Sequence, residues 1–177
     1  GGGVVVPRAP AEGRAAGTAA GIARSFLAGA RVAEGWDSSA RAGFNHTAAE
    51  YFDAVVVAWD AVVGGTRYLN SRPLASGRTI HEIDVHNTTS LAASPLTELI
   101  GAKSADKRIP DFVWRSPLDA KQAFLQGLYE GDGPCSDLGR TTIPISYTTC
   151  TQARARDGRN LLREVGVCPA QAPRVHR

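Results

Sequence analysis

Leu27-Ala28-Gly29-Ala30-Arg31-Val32-Ala33-Glu34-Gly35 and Leu125-Gln126-Gly127-Leu128-Tyr129-Glu130-Gly131-Asp132-Gly133 match position by position. Each opens on leucine, carries glycine third and last, a small residue seventh and an acid eighth. Residues four apart lie on one face of a helix, so Gly29 with Ala33, and Gly127 with Gly131, form two smooth stripes. Such stripes let two helices pack face to face with their backbones close together. The acids that end the helices, Glu34 and Asp132, then project from the same end of the pair. Two carboxylates brought together there can bind an oxygen-preferring divalent cation. Either stretch alone reads as a surface helix stopped by glycine. Two copies in register change that reading.

The flanking sequence repeats as well. A helix is expected from about Thr18 to Ala33, with Ile22, Phe26 and Leu27 on one face and Gly35 as its stop. Residues 36–44 read as a short polar hairpin. Thr47-Ala-Ala-Glu50 has the form of a capping box. Phe52, Val55, Val56, Trp59, Val62 and Val63 then recur at helical spacing until Gly64-Gly65. A second hairpin is expected with strands at residues 67–71 and 79–85, around a turn containing Pro73 and Gly77. A short helix over residues 91–100 follows. After the charged linker 103–108 the pattern restarts, with Ser116 as N-cap and Pro117 at the first helical position. That helix runs to about Glu130, a third hairpin covers residues 136–149, and a last amphipathic helix spans 151–165. The order is helix, hairpin, helix, hairpin, helix, then helix, hairpin, helix: a repeat that stops before its final hairpin. The division expected is 1–16 disordered, 17–102 a first half, 103–167 a truncated second half, and 168–177 an irregular tail.

Composition excludes several classes. With 43% hydrophobic and 21% charged residues the 177-residue chain has the make-up of an ordinary globular protein. Its apolar runs fall short of the ~20 residues that span a bilayer, so no membrane association is expected. Cys135, Cys150 and Cys168 lack zinc spacing, and an odd number of them suits a reducing compartment. A cytoplasmic protein, or a piece excised from one, is expected. The net charge of +3 is compatible with a phosphate-binding face, and Arg154, Arg156, Arg159 and Arg163 cluster.

The paired stretches resemble the signature from which the LAGLIDADG homing endonucleases take their name, and the resemblance covers nearly all of residues 22–167. Arg41-Ala-Gly-Phe-Asn45, Glu50-Tyr-Phe-Asp-Ala-Val-Val56, His81-Glu-Ile-Asp-Val-His-Asn87, Ser104-Ala-Asp-Lys-Arg-Ile-Pro-Asp-Phe-Val-Trp114 and Thr142-Ile-Pro-Ile-Ser-Tyr-Thr-Thr149 are similar to endonuclease domains of actinobacterial inteins, such as those inserted in the A subunit of DNA gyrase. The resemblance implies an α+β fold of two pseudo-symmetric αββαββα halves, the second incomplete, in a monomer with internal two-fold symmetry. It implies sequence-specific double-strand DNA cleavage by metal-assisted phosphodiester hydrolysis, with double-stranded DNA as partner and Mg2+ as cofactor. Carried over by position, Glu34 and Asp132 become the metal-binding catalytic carboxylates. Lys107, ahead of Ile109-Pro110, becomes a catalytic lysine that orders the attacking water or stabilises phosphorane charge. DNA is read by the hairpins, with Arg41, Arg67, Arg72, Arg78 and Arg140 on or beside them.

The chain also departs from that pattern. Glu34 stands where aspartate is usual, Arg31 where an apolar residue is commoner, and the match ends after Val167. The alternative is a catalytically inactive DNA-binding module of the same fold, or a degenerate intein remnant; an RNA-intron maturase is a weaker third. Val85-His-Asn-Thr88 imitates the end of an intein, but the partner blocks of splicing are missing, so no self-splicing is expected. His46, His81 and His86 have no metal-ligand spacing and are expected to be structural. Trp59 and Trp114 are expected in the core.

Overall fold

The computed structural model describes residues 17–38, 40–101, 103, 106–132 and 152–169. Helix α1 (Ala19–Glu34) starts at Thr18, whose extended backbone and side-chain oxygen, 3.1 Å from the Gly21 N–H, form a true N-cap. It buries every residue from Leu27 to Val32. Helix α5 (Leu118–Asp132) lies along it. Their contact is reciprocal. A Cβ built on Gly29 would fall 2.1 Å from the Phe124 carbonyl oxygen and 2.8 Å from the Leu128 nitrogen. One built on Gly127 would fall 2.2 Å from the Phe26 carbonyl oxygen and 2.9 Å from the Ala30 nitrogen. Phe26 and Phe124 precede the two motif leucines, and Ala30 and Leu128 are both fourth in the motif. Equivalent residues therefore exchange equivalent contacts, which is the mark of a two-fold relation. Only glycine fits at either position, because the obstructing atoms are backbone.

After α1 the chain runs through β1 (Gly35–Asp37), β2 (Ala42–His46), α2 (Ala49–Val62), β3 (Tyr68–Pro73) and β4 (Thr79–Val85). The four strands form one antiparallel sheet in the order β1-β2-β4-β3. Strand alternation puts Ala42, Phe44, Ile83 and Val85 on the face covered by α2, where all four are buried with Phe52, Val55 and Trp59. The Phe44 ring meets Phe52 and Tyr51 at centroid distances of 6.4 and 5.8 Å. Trp36, Asn45, Tyr68, Asn70, Arg72, Ile80, Glu82 and Asp84 alternate onto the opposite, open face. Helix α2 ends as its glycines require: Gly64 at φ 62° and Gly65 at φ 77° let Val63 and Gly64 both donate to the Trp59 carbonyl. Trp59 is fully buried and Trp114 half-buried against the core, as expected.

Four local expectations change. Thr47 and Glu50 do not form a capping box. Helix α2 begins after Ala48 without a side-chain cap, and the His46 ring nitrogen Nδ1 accepts from the Ala48 N–H at 3.1 Å. The helix opens one residue later than the box requires, so Ala48 rather than Thr47 holds the cap position. The helix expected over residues 91–100 is broken into α3 (Thr89–Ala93) and a 3₁₀ turn (Thr97–Leu99). Pro95 forces Ser94 into an extended conformation, φ −81° and ψ 162°. A one-turn helix α4 (Asp111–Trp114) lies between the charged linker 103–108 and Ser116, where no element is expected. Ser116 closes α4 by donating to the Phe112 carbonyl, and Pro117 supplies the carbonyl that Lys121 uses to start α5. Ser116 is thus not the N-cap of α5.

The last helix is α6 (Gln152–Glu164), with Leu161 fully buried. Arg154, one of the clustered arginines, is buried as well and donates from Nε to the Lys107 carbonyl at 3.3 Å. The expected third hairpin, with Arg140, Cys135 and Cys150, lies outside the described residues. Cys168 is exposed as a free thiol. Among the described residues no helix is long and apolar enough to cross a membrane. The architecture is α+β.

Candidate active site

The smooth stripes decide where the acids go. A Cβ on Gly131 would lie 2.6 Å from the Ala33 Cβ and 3.7 Å from the Glu34 Cγ. Ala33 and Gly131 both hold the seventh motif position, so they meet where the two helices cross their symmetry axis. Glu34 thereby rests its side-chain stem against the residue before Asp132, the last residue of α5. The two motif ends converge.

Gly35 makes this convergence compact. It passes directly from helix cap to strand at φ −69° and ψ 142°, and donates back to the Arg31 carbonyl. A Cβ there would sit 2.6 Å from that same carbonyl oxygen, so the close turn, rather than any left-handed backbone, selects glycine. Lys107 completes the end of α1. It is 3% exposed, and its ammonium donates to the Arg31 carbonyl at 2.9 Å and to the Gly35 carbonyl. A cation at the carbonyl end of a helix opposes the helix dipole. These bonds bracket Glu34 in sequence, so Lys107 is held beside the first motif acid.

Arg31 explains itself in three dimensions. Its side chain is fully buried, pairs with Asp37 at 2.6 Å and donates to the Gly43 carbonyl at 3.2 Å. Its guanidinium carbon lies 5.6 Å from the centre of the Trp59 ring. Burial pulls its pKa below the ordinary arginine value, while Asp37 pulls it back up. The end of α1 is thus tied to β1 and β2 by one side chain. Neither sequence period nor motif signals this; an acid six residues downstream is the sole hint.

Tyr51 of α2 serves the other helix. Its hydroxyl donates to the Gly127 carbonyl at 2.6 Å, and its ring contacts Phe26, Phe44 and His46. His46 is half-buried beside it, which lowers its pKa chiefly by desolvation. The folded state therefore binds a proton less readily than the unfolded chain, whose histidine titrates near 6.5. Stability held by neutral His46 is intact above that value and declines as pH falls from it towards the lower folded value. Unfolding midpoints measured across that window should fall for the native chain, and His46→Gln should flatten the fall. The carboxylates of Asp60 and Asp84, pulled down by Arg67 and Arg41, act only in more acidic solution.

The expected DNA-contacting arginines separate. Arg41 and Arg72 lie on the open face, each paired with an acid of β4, Asp84 and Glu82 respectively. Arg78 is exposed at the turn between β3 and β4. Arg67 instead makes a two-pronged pair with Asp60 of α2, at 2.6 Å on each arm, on the helix-covered side. Arg140 lies outside the described residues. Among those described, no group of three or more His, Cys, Asp or Glu side chains could hold a metal ion. A cation between the motif ends would therefore need oxygens from phosphate and water beside the carboxylates, a donor set that suits a hard divalent ion.

Comparisons with known proteins bear on the fold and on descent. No protein-family model matches the chain. It is 50% identical to the A subunit of DNA gyrase from Mycolicibacterium flavescens over 139 residues, covering 78% of this chain and 25% of that one. Against the same gyrase protein of Mycobacterium gordonae it is 44% identical over 164 residues, covering 93% of this chain and 30% of that one. The chain thus spans less than a third of the length of these curated relatives. Among solved structures, the homing endonuclease I-WcaI bound to its DNA recognition sequence superposes with a TM-score of 0.54 at 14% identity, covering 81% of this chain and 67% of that one. I-DmoI in complex with DNA and Mn gives 0.52 at 12% identity, covering 84% of this chain and 80% of that one. At those identities the likeness speaks for the fold, and the gyrase matches speak for descent. The chain is a homologue of an intein-like insert in the A subunit of DNA gyrase, built on the LAGLIDADG homing endonuclease fold.

Proposed function

We propose that this chain is the endonuclease domain of a DNA gyrase intein and cuts specific double-stranded DNA by cation-assisted phosphodiester hydrolysis. The observation that carries the reading is the glycine-to-backbone crossing of α1 and α5, which brings the Glu34 stem against Gly131, next to Asp132. Glu34 and Asp132 hold the cation in this reading, with phosphate and water oxygens completing its shell. When bound, such an ion polarises the phosphate and lowers the pKa of an attacking water. Mg2+ is the proposed ion; the I-DmoI complex was solved with Mn. Lys107 keeps the end of α1 in place through two carbonyls and adds positive charge where phosphorane charge would develop. The open face of the sheet lies along the duplex, with Arg41, Arg72 and Arg78 towards it.

Plasmid cleavage by the purified chain with Mg2+ or Mn2+, repeated with a chelator, tests this. Linear product that appears with the ion and vanishes with the chelator is the expected result. DNA bound but left intact under both ions would favour the alternative, a DNA-binding module of the same fold that no longer cuts.

A further inference from the structure

The open face of the sheet carries a charge pattern that attraction to a polyanion does not explain. Arg41 grips Asp84 with two nitrogens, Nε at 3.3 Å and Nη2. The His86 Nε2 lies 3.2 Å from the same carboxylate, and the Tyr68 ring stands 4.8 Å from the imidazole. Further along β4, the Arg72 Nε donates to Glu82 at 3.4 Å. The strand register sets Trp36, Gly43, Asp84 and Tyr68 in one row across the sheet, and Asn45, Glu82 and Asn70 in the next. Among the described residues, both arginines seated on the face are matched by a carboxylate on β4. A surface shaped only to hold phosphates would leave its cations unmatched.

We propose that Asp84 and Glu82 are specificity-determining residues, which aim Arg41 and Arg72 at base edges and penalise any duplex that fails to present matching bases. This rests on the DNA-cleaving reading given above. A guanidinium has five N–H donors in a rigid plane, and a carboxylate on one edge fixes that plane while leaving the other edge to donate. That is the geometry guanine O6 and N7 accept in the major groove. The same carboxylates repel phosphate and lose solvent when a duplex closes over them, so a duplex offering no compensating base contact binds less well. Asn45 and Asn70, flanking Glu82, add amides of the kind that read adenine. Affinity for the backbone then falls to cations off the row, such as Arg78 at the turn.

The test needs no known target. Duplexes retained by the native chain from a random pool are compared with the unselected pool, measuring Kd and its salt dependence for the native chain, Asp84→Asn, Glu82→Gln and Asp111→Asn. Asp111, exposed at the start of α4, pairs with the equally exposed Arg115 just past its end and serves as the control. Asp84→Asn and Glu82→Gln should tighten binding to the unselected pool several-fold, steepen its salt dependence, and cut the preference for selected duplexes about tenfold or more. The control should match the native chain. If the native chain discriminates and both variants discriminate equally well, the inference is overturned and the nuclease reading stands. A native chain that retains no duplex at all overturns both. Arg41 and Arg72 are themselves half exposed or more, so only small falls in unfolding midpoint are expected for both variants.

Discussion

Gly29→Ala and Gly127→Ala should each cost about 3 kcal/mol or more of folding stability, a large share of the ~5–15 kcal/mol typical of a domain. A single methyl has this effect because it meets no flexible side chain. At Gly29 it would lie 2.1 Å from one carbonyl oxygen and 2.8 Å from a backbone nitrogen of α5. At Gly127 the same collision occurs in mirror order against α1. Relief requires the helices to separate, which loosens the packing of Leu27, Phe124 and Leu128, all buried at the crossing. Urea titration of both variants checks this, with the midpoint falling at similar denaturant dependence. The site should fail with the fold, since Glu34 reaches Gly131 only while the helices touch. A variant that melts like the native chain would mean that the crossing is looser than these distances state.

Glu34→Gln and Asp132→Asn should each lower cleavage by two or more orders of magnitude, while DNA affinity stays within a few-fold. Each substitution preserves shape and removes one anionic ligand. Stabilisation of phosphorane charge and of the attacking water by a bound cation is worth several kcal/mol, and each 1.36 kcal/mol is a factor of ten in rate. Glu34→Asp restores the acid usual in the resembling family and should retain cleavage, because the carboxylate is conserved and only its stem shortens. Lys107→Met removes the charge and its two hydrogen bonds together. It removes the donor from the Arg31 and Gly35 carbonyls, so it should lower the unfolding midpoint as well as the cleavage rate, by about 1–3 kcal/mol in stability. Carboxylate variants that cut as fast as the native chain would sink the assignment of the pair.

Much of the fold is legible in the residues themselves. The period of Phe52, Val55 and Trp59 marks α2, and Gly64-Gly65 marks its end, because helical burial and left-handed caps are local effects that sequence displays directly. The strands around Gly77 are legible for the same reason. Errors fall where one local signal yields to another only a few residues away. Thr47 has the form of a cap, but α2 begins at Ala49, which leaves Ala48 at the cap position with its N–H donated to His46. Ser116 has the form of a cap too, and spends its hydroxyl on the helix before it.

What the sequence determined alone is the pair of small-residue stripes and the acids that follow them: helix geometry converts that spacing into two faces without reference to anything else. Tertiary structure alone decided which charges are spoken for. Arg31, a misfit in its motif, is a buried partner of Asp37; Arg67, one of five candidate DNA contacts, is bound to Asp60; Lys107, a lysine in a charged stretch, is a cap on α1. The physical reason is that backbone periodicity acts over one turn of helix, whereas an ion pair depends on distances between elements that only packing sets.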